Sequence, residues 1–209
     1  MSVGGEKYAC ILSSENKGGE IKMNRHLNTS NAVIYQNGKS RINIVKGSVV
    51  DMHVDAIVNA ANSGLLGGGG VDGAIHRAAG PGLLEECRQL RGCKCGEAKI
   101  TGAYNIKNAK YIIHTVGPIY SGSVRDAELL SSCYRNSLDL ALANGCRSIA
   151  FPGISTGVYG YPIDEAAQVS LRTAQDWINV HPDITIDVYF CCFRDREADA
   201  YMKLTTESK

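Results

Sequence analysis

From about residue 41 onward, the apolar positions of this 209-residue chain follow two alternating rhythms. Arg41–Val45 alternates, and Val54-Asp55-Ala56-Ile57-Val58, Tyr111–Val116, Ser148–Phe151 and Ile184–Phe193 are short, apolar runs that read as strands. Their near-continuous apolar character is what a sheet buried on both faces requires. Between them, Leu130, Cys133, Tyr134, Leu138, Ala141 and Leu142 recur at helical steps ahead of the stop signal Asn144-Gly145. Ile163, Ala167, Leu171, Ala174 and Ile178 do the same between Pro162 and His181-Pro182. Strands alternating with helices predict an α/β sandwich around a largely parallel sheet, a fold that binds ligands at the carboxyl ends of its strands. Residues 1–40 lack the rhythm. With polar clusters at Asn16-Lys17-Gly18-Gly19 and Asn28-Thr29-Ser30-Asn31, they read as a polar N-terminal extension, either solvated or touching a charged partner, and 41–209 reads as one domain.

Composition narrows the function classes. A hydrophobic fraction of 44% supports one sizeable core and excludes wholesale disorder. A net charge of +1 gives no overall electrostatic case for a nucleic-acid or membrane-surface protein, so affinity has to come from a local site. The eight cysteines are spread along a chain without a secretory pattern or a long apolar run, and read as reduced thiols of a cytoplasmic monomer. Cys87, Cys93 and Cys95 do not have the spacing of a zinc pair, so no metal is expected.

Glycine is the outlier, because eight of the 23 fall between Gly64 and Gly82. The loop after the second strand runs from Asn59-Ala60-Ala61-Asn62 to Gly67-Gly68-Gly69-Gly70 and into a helix starting near Val71. Four consecutive glycines allow positive φ and close approach of a ligand to the backbone, and NH groups at a helix start attract anions. Gly68–Gly73 also matches G-x-G-x-x-G, but the intervening Asn59–Leu66 places it too far from the strand for a dinucleotide fingerprint. A second loop, Pro152–Pro162, contains Ser155-Thr156-Gly157-Val158-Tyr159 and also leads into a helix. No P-loop is present, which disfavours an NTPase. Two such loops on one sheet edge suit a diphosphate clasped between them. Tyr159 and Tyr161 either stack on a sugar or base or pack at the rim.

Asn59-Ala60-Ala61-Asn62, the run from Leu65 to Pro81, His114-Thr115-Val116-Gly117-Pro118 and Ser155–Pro162, in that order, resemble a macrodomain of the MacroD type from about Arg41 to Leu204. The resemblance implies a three-layer α/β/α sandwich with a mixed, mostly parallel six-stranded sheet. It implies hydrolysis of mono-ADP-ribose from acidic side chains of proteins and deacetylation of O-acetyl-ADP-ribose, with no cofactor. The alternatives are a non-catalytic ADP-ribose-binding module and, more distantly, a nicotinamide oxidoreductase. Carried over by motif, Asn62, Asp72 and His76 are the catalytic candidates. Asn62 would bond the distal ribose or merely support its turn. Asp72 would orient ribose and water or merely stabilise a helix start. His76, four residues on, would contact Asp72 or sit inside the core. Ligand contacts are expected from Ser48, Val49, Asn59, Gly68, Gly69, Gly70, Val71, Ser155, Thr156, Gly157, Val158 and Tyr159. Phe193 would lie against adenine or in the core.

One position departs from the pattern. Relatives commonly have Gly-Asp-Ile-Thr after the first core strand, the Asp accepting from the adenine amino group, where this chain has Gly47-Ser48-Val49-Val50. A hydrogen bond to a charged group is worth about 1.5–3 kcal/mol and a neutral one nearer 1. Ser48→Asp is therefore expected to tighten ADP-ribose binding about tenfold in calorimetry while leaving an inosine analogue nearly unchanged. Equal gains for the two ligands would show that position 48 does not face the base.

Overall fold

The computed structural model describes residues 31–206. A two-residue turn, Gly38-Lys39, joins β1 (Asn31–Asn37) to β2 (Ser40–Lys46), and Gly38 takes a φ of 57°, as tight hairpins require. A short 3-10 turn, Val49–Asp51, leads to β3 (Ala56–Ala60), α1 (Gly70–Ala79) and α2 (Pro81–Leu90). Then come β4 (Ala98–Gly102), β5 (Tyr111–Thr115), α3 (Val124–Ala143), β6 (Ser148–Phe151), α4 (Ile163–Val180), β7 (Asp187–Cys192) and α5 (Asp195–Thr206).

The strands form one sheet in the order β1-β2-β7-β6-β3-β5-β4. The five inner strands pair in parallel, while β1 and β4 close the two edges antiparallel. Alternate residues feed opposite cores, as strand geometry dictates. Ala56, Val58, Ile113 and Phe151 face the core under α3, α4 and α5, where the rings of Tyr134 and Phe151 lie 5.0 Å apart. Ile57, Ile112 and Ala150 face the core under α1 and α2, together with Leu65, Ile75 and Leu83. Three layers result, as expected. Among the described residues, no helix is long and apolar enough to cross a membrane.

The sheet has seven strands rather than six. The added strand is β1, which lies inside the stretch read as a polar extension; Ile34 is buried in the core while Gln36 and Asn37, nearer the turn, stay exposed. A register shift between Val33 and Tyr35 blurs its alternation, which explains why composition outweighed pattern there. The rest of that extension, residues 1–30, lies outside the described residues.

Helix α1 and the glycine loop before it are in backbone contact: a Cβ on Gly73 would stand 2.4 Å from the carbonyl oxygen of Gly68. Gly73→Ala should cost about 2 kcal/mol, read as a drop of roughly 4–8 °C in thermal unfolding for a domain of this size. An unchanged melting temperature would show that the loop yields freely.

Candidate active site

Five parallel strands ending on one side bring their following loops together there. A cleft of about 420 Å³ opens between the loop after β3 and the loop after β6. Asn62, Gly68, Gly69, Gly70, Val71, Asp72, Ser155, Gly157, Val158 and Tyr159 all line it. Sequence reasoning missed Ala60, Ala61, Gly117, Gly153 and Arg194, which complete the walls. Their signal was positional: Gly117 and Gly153 stand two residues beyond the ends of β5 and β6, as Arg194 does beyond β7.

Asp72 is buried at 4% exposure, and its Oδ1 accepts a 2.7 Å hydrogen bond from Asn59 Nδ2. The same amide nitrogen lies 3.1 Å from His114 Nδ1. Asn59 can satisfy both only as donor, so His114 Nδ1 carries no proton and its Nε2–H donates to Thr101 Oγ1 at 3.0 Å. Cys87 Sγ lies 3.8 Å from that nitrogen. The His76 ring approaches from the next turn of α1, its Nε2 3.5 Å from Asp72 Oδ1. Asp72 Oδ2 has no partner within the protein. A Cβ on Gly68 would come within 3.0 Å of it and within 3.3 Å of Asn62 Nδ2, so only glycine leaves the space between Asn62 and Asp72 open.

The backbone shapes both loops. Gly69 caps α1 without a side chain, leaving the first helical NH groups to the cleft. Leu65 and Ser155 adopt φ of 59° and 64°, a left-handed conformation costly for residues with a Cβ. A Cβ on Gly117 would lie 2.1 Å from Ser155 Oγ, so this glycine permits the second loop to close down. That loop is also clipped to the segment after β5 by Tyr120 N–H donating to Tyr159 O at 2.9 Å. Among the described residues, the buried side-chain polar atoms without a partner are Asn59 Oδ1, Asp72 Oδ2, His76 Nε2 and Ser155 Oγ. All four belong to this site or touch it, whereas the other buried side-chain polar atoms of the described residues are paired.

Several expected contacts sit elsewhere. Asn59 has no exposed surface and serves as the post beneath Asp72 rather than as a ligand contact. His76 lies outside the cleft wall, its ring meeting Asp72 only through the 3.5 Å approach of Nε2 to Oδ1. Val49 is 1% exposed, its side chain packed in the core beside α1. Ser48 lies outside the wall, its hydroxyl accepting from Val50 N–H to cap the 3-10 turn. Thr156 turns toward a smaller cavity beneath its own loop, and Phe193 is an exposed ring beside Arg194. Asn62 lines the cleft and also holds its turn, donating to Gly67 O at 2.9 Å and accepting from Gly64 N–H at 3.0 Å. Tyr161 is buried against Tyr120, with ring centroids 4.8 Å apart, and belongs to the packing rather than the cleft.

Residues 58–170, which carry both loops, match the family model described as Macro domain. The chain belongs to the Macro domain family. It is 51% identical over 173 residues to the O-acetyl-ADP-ribose deacetylase of Salmonella typhimurium, covering 80% of this chain and 96% of that protein. It is 52% identical over 163 residues to the ADP-ribose glycohydrolase MACROD1 of Bos taurus, across 77% of this chain and 50% of that one. Among solved structures, an Oceanobacillus iheyensis macrodomain with ADP superposes with a TM-score of 0.79 at 38% identity, covering 86% of this chain and 98% of that one.

In this macrodomain the polar post has a pH signature. Burial, followed by the charge of nearby His76, pushes His114 down from 6.5 to about 3. Between those values the unfolded chain takes up a proton that the folded chain refuses, so stability present above pH 6.5 is lost progressively as pH falls toward 3. Protonation would also set an Nδ1–H against the Asn59 amide. Urea unfolding at stepped pH should show this slope, flattened in His114→Gln; an unchanged slope in the variant would assign it to other groups.

Proposed function

We propose that this macrodomain binds ADP-ribose and hydrolyses its esters, releasing mono-ADP-ribose from acidic side chains of proteins and acetate from O-acetyl-ADP-ribose. The names of the Salmonella typhimurium and Bos taurus relatives support a hydrolase acting on ADP-ribose derivatives. The observation that carries the reading is Asp72. One oxygen is fixed by Asn59, and the other is unpartnered at the cleft between Gly68 and Asn62. A carboxylate held in this way accepts a hydrogen bond from a ribose hydroxyl or a water, and a single geometry lowers the cost of orienting them. The diphosphate lies between the two glycine-bearing loops, where uncapped NH groups offset its charge. The distal ribose is thereby placed over Asn62 and Asp72. Hydrolysis adds water across the ester, its hydroxyl joining one side of the broken bond and its proton the other.

A binding module would need the loops but not the buried carboxylate. Asp72→Asn keeps the shape and removes the charge. Release of ADP-ribose from an ester-linked mono-ADP-ribosylated protein should fall about a hundredfold or more, with ADP-ribose affinity in calorimetry changed by no more than about threefold. As a control, Gly157→Glu should harm both, since it sets an anion in the phosphate loop. Parallel loss of turnover and affinity in Asp72→Asn would favour the binding module.

A further inference from the structure

The charge along the cleft is sparse. Among its described wall residues only Asp72 and Arg194 are charged, and they belong to loops after different strands. Along the carboxyl edge the strands run β5, β3, β6, β7, β2. Asp72 follows β3, the second loop follows β6, and Arg194 stands two residues beyond β7. At about 4.8 Å per strand, Arg194 is roughly 10 Å along the edge from the β3 end, one strand past the diphosphate loop. A ligand with its distal ribose over Asp72 and its diphosphate between the loops brings the ribose next to adenine beside Arg194.

The guanidinium is exposed there and only loosely paired. Its Nε is 3.8 Å from Glu197 Oε1, a long contact, with the side chain 66% exposed. The other carboxylate oxygen of Glu197 serves the backbone, Oε2 accepting from Phe193 N–H at 2.7 Å and Arg194 N–H at 3.1 Å. The neighbouring cation, Lys46 at the end of β2, is paired with Asp195. Ser48, just beyond it, is uncharged and brings no carboxylate to this end. Ribose hydroxyls have no need of a guanidinium. A phosphate monoester matches its planar fork with two parallel hydrogen bonds, the means by which arginine marks phosphorylated riboses in dinucleotide sites.

We propose that Arg194 selects ADP-ribose carrying a phosphate monoester on the adenosine ribose over ADP-ribose itself. The proposal rests on the ADP-ribose reading of the cleft and names its preferred substrate class.

The test is calorimetric titration of the full chain with ADP-ribose and with ADP-ribose 2′-phosphate at matched ionic strength. The wild type should bind the phosphorylated ligand about tenfold more tightly. In Arg194→Gln the ratio of the two affinities should fall close to one, and Arg194→Lys should restore part of it. Raising the salt concentration should shrink the wild-type ratio. Thermal unfolding of each variant establishes that it is folded. Equal affinities in the wild type would overturn the proposal. So would an equal loss for both ligands in Arg194→Gln, which would place the guanidinium over the base or on the diphosphate. Failure of both ligands to bind the wild type would instead overturn the ADP-ribose reading, and this proposal with it.

Discussion

A single amide organises the reactive end of this macrodomain. Asn59 is wholly buried near the end of a central strand, and its NH2 group reaches both the Asp72 carboxylate at 2.7 Å and the neutral face of His114 at 3.1 Å. His114 is in turn tied to Thr101 on the edge strand. The carboxylate is thus anchored through two further strands rather than by its own helix alone. An isolated carboxylate at this depth would suffer a large loss of hydration, and one good donor on one oxygen compensates in part while the other oxygen stays unpartnered at the cleft. Gly68 follows from this arrangement, since any side chain there would close the space beside the carboxylate.

The inner half of the fold was legible because physics writes it plainly. Strands buried on both faces are mostly apolar, their few polar side chains being paired inside, and all five runs read from the sequence became the five parallel strands. The two that escaped notice, β1 and β4, are edges, where one face or one side meets water and the apolar mark fades. The hairpin turn at Gly38-Lys39 lies among polar residues, which obscured the strand before it.

The site was legible to the same degree and for a related reason. Runs of glycine and a helix start announce a ligand loop without any knowledge of tertiary structure, so most of the cleft walls were found. Direction within a strand is harder. Asn59 and Asn62 belong to one motif, yet the first points into the layer beneath α1 and the second reaches the cleft. Arg194 carried only the positional signal of following a strand, and the sheet order alone sets that last strand beside β6.

Leu65 and Ser155 hold left-handed backbone conformations in the two loops that flank the cleft. Each is held at a cost of order 1–3 kcal/mol, which the fold meets when the chain first collapses, long before any ligand arrives. A nucleotide entering such a cleft has little loop ordering left to accomplish, so its binding energy is not consumed in shaping the receptor. The macrodomain has exchanged part of its own thermal reserve for a mould that is already set.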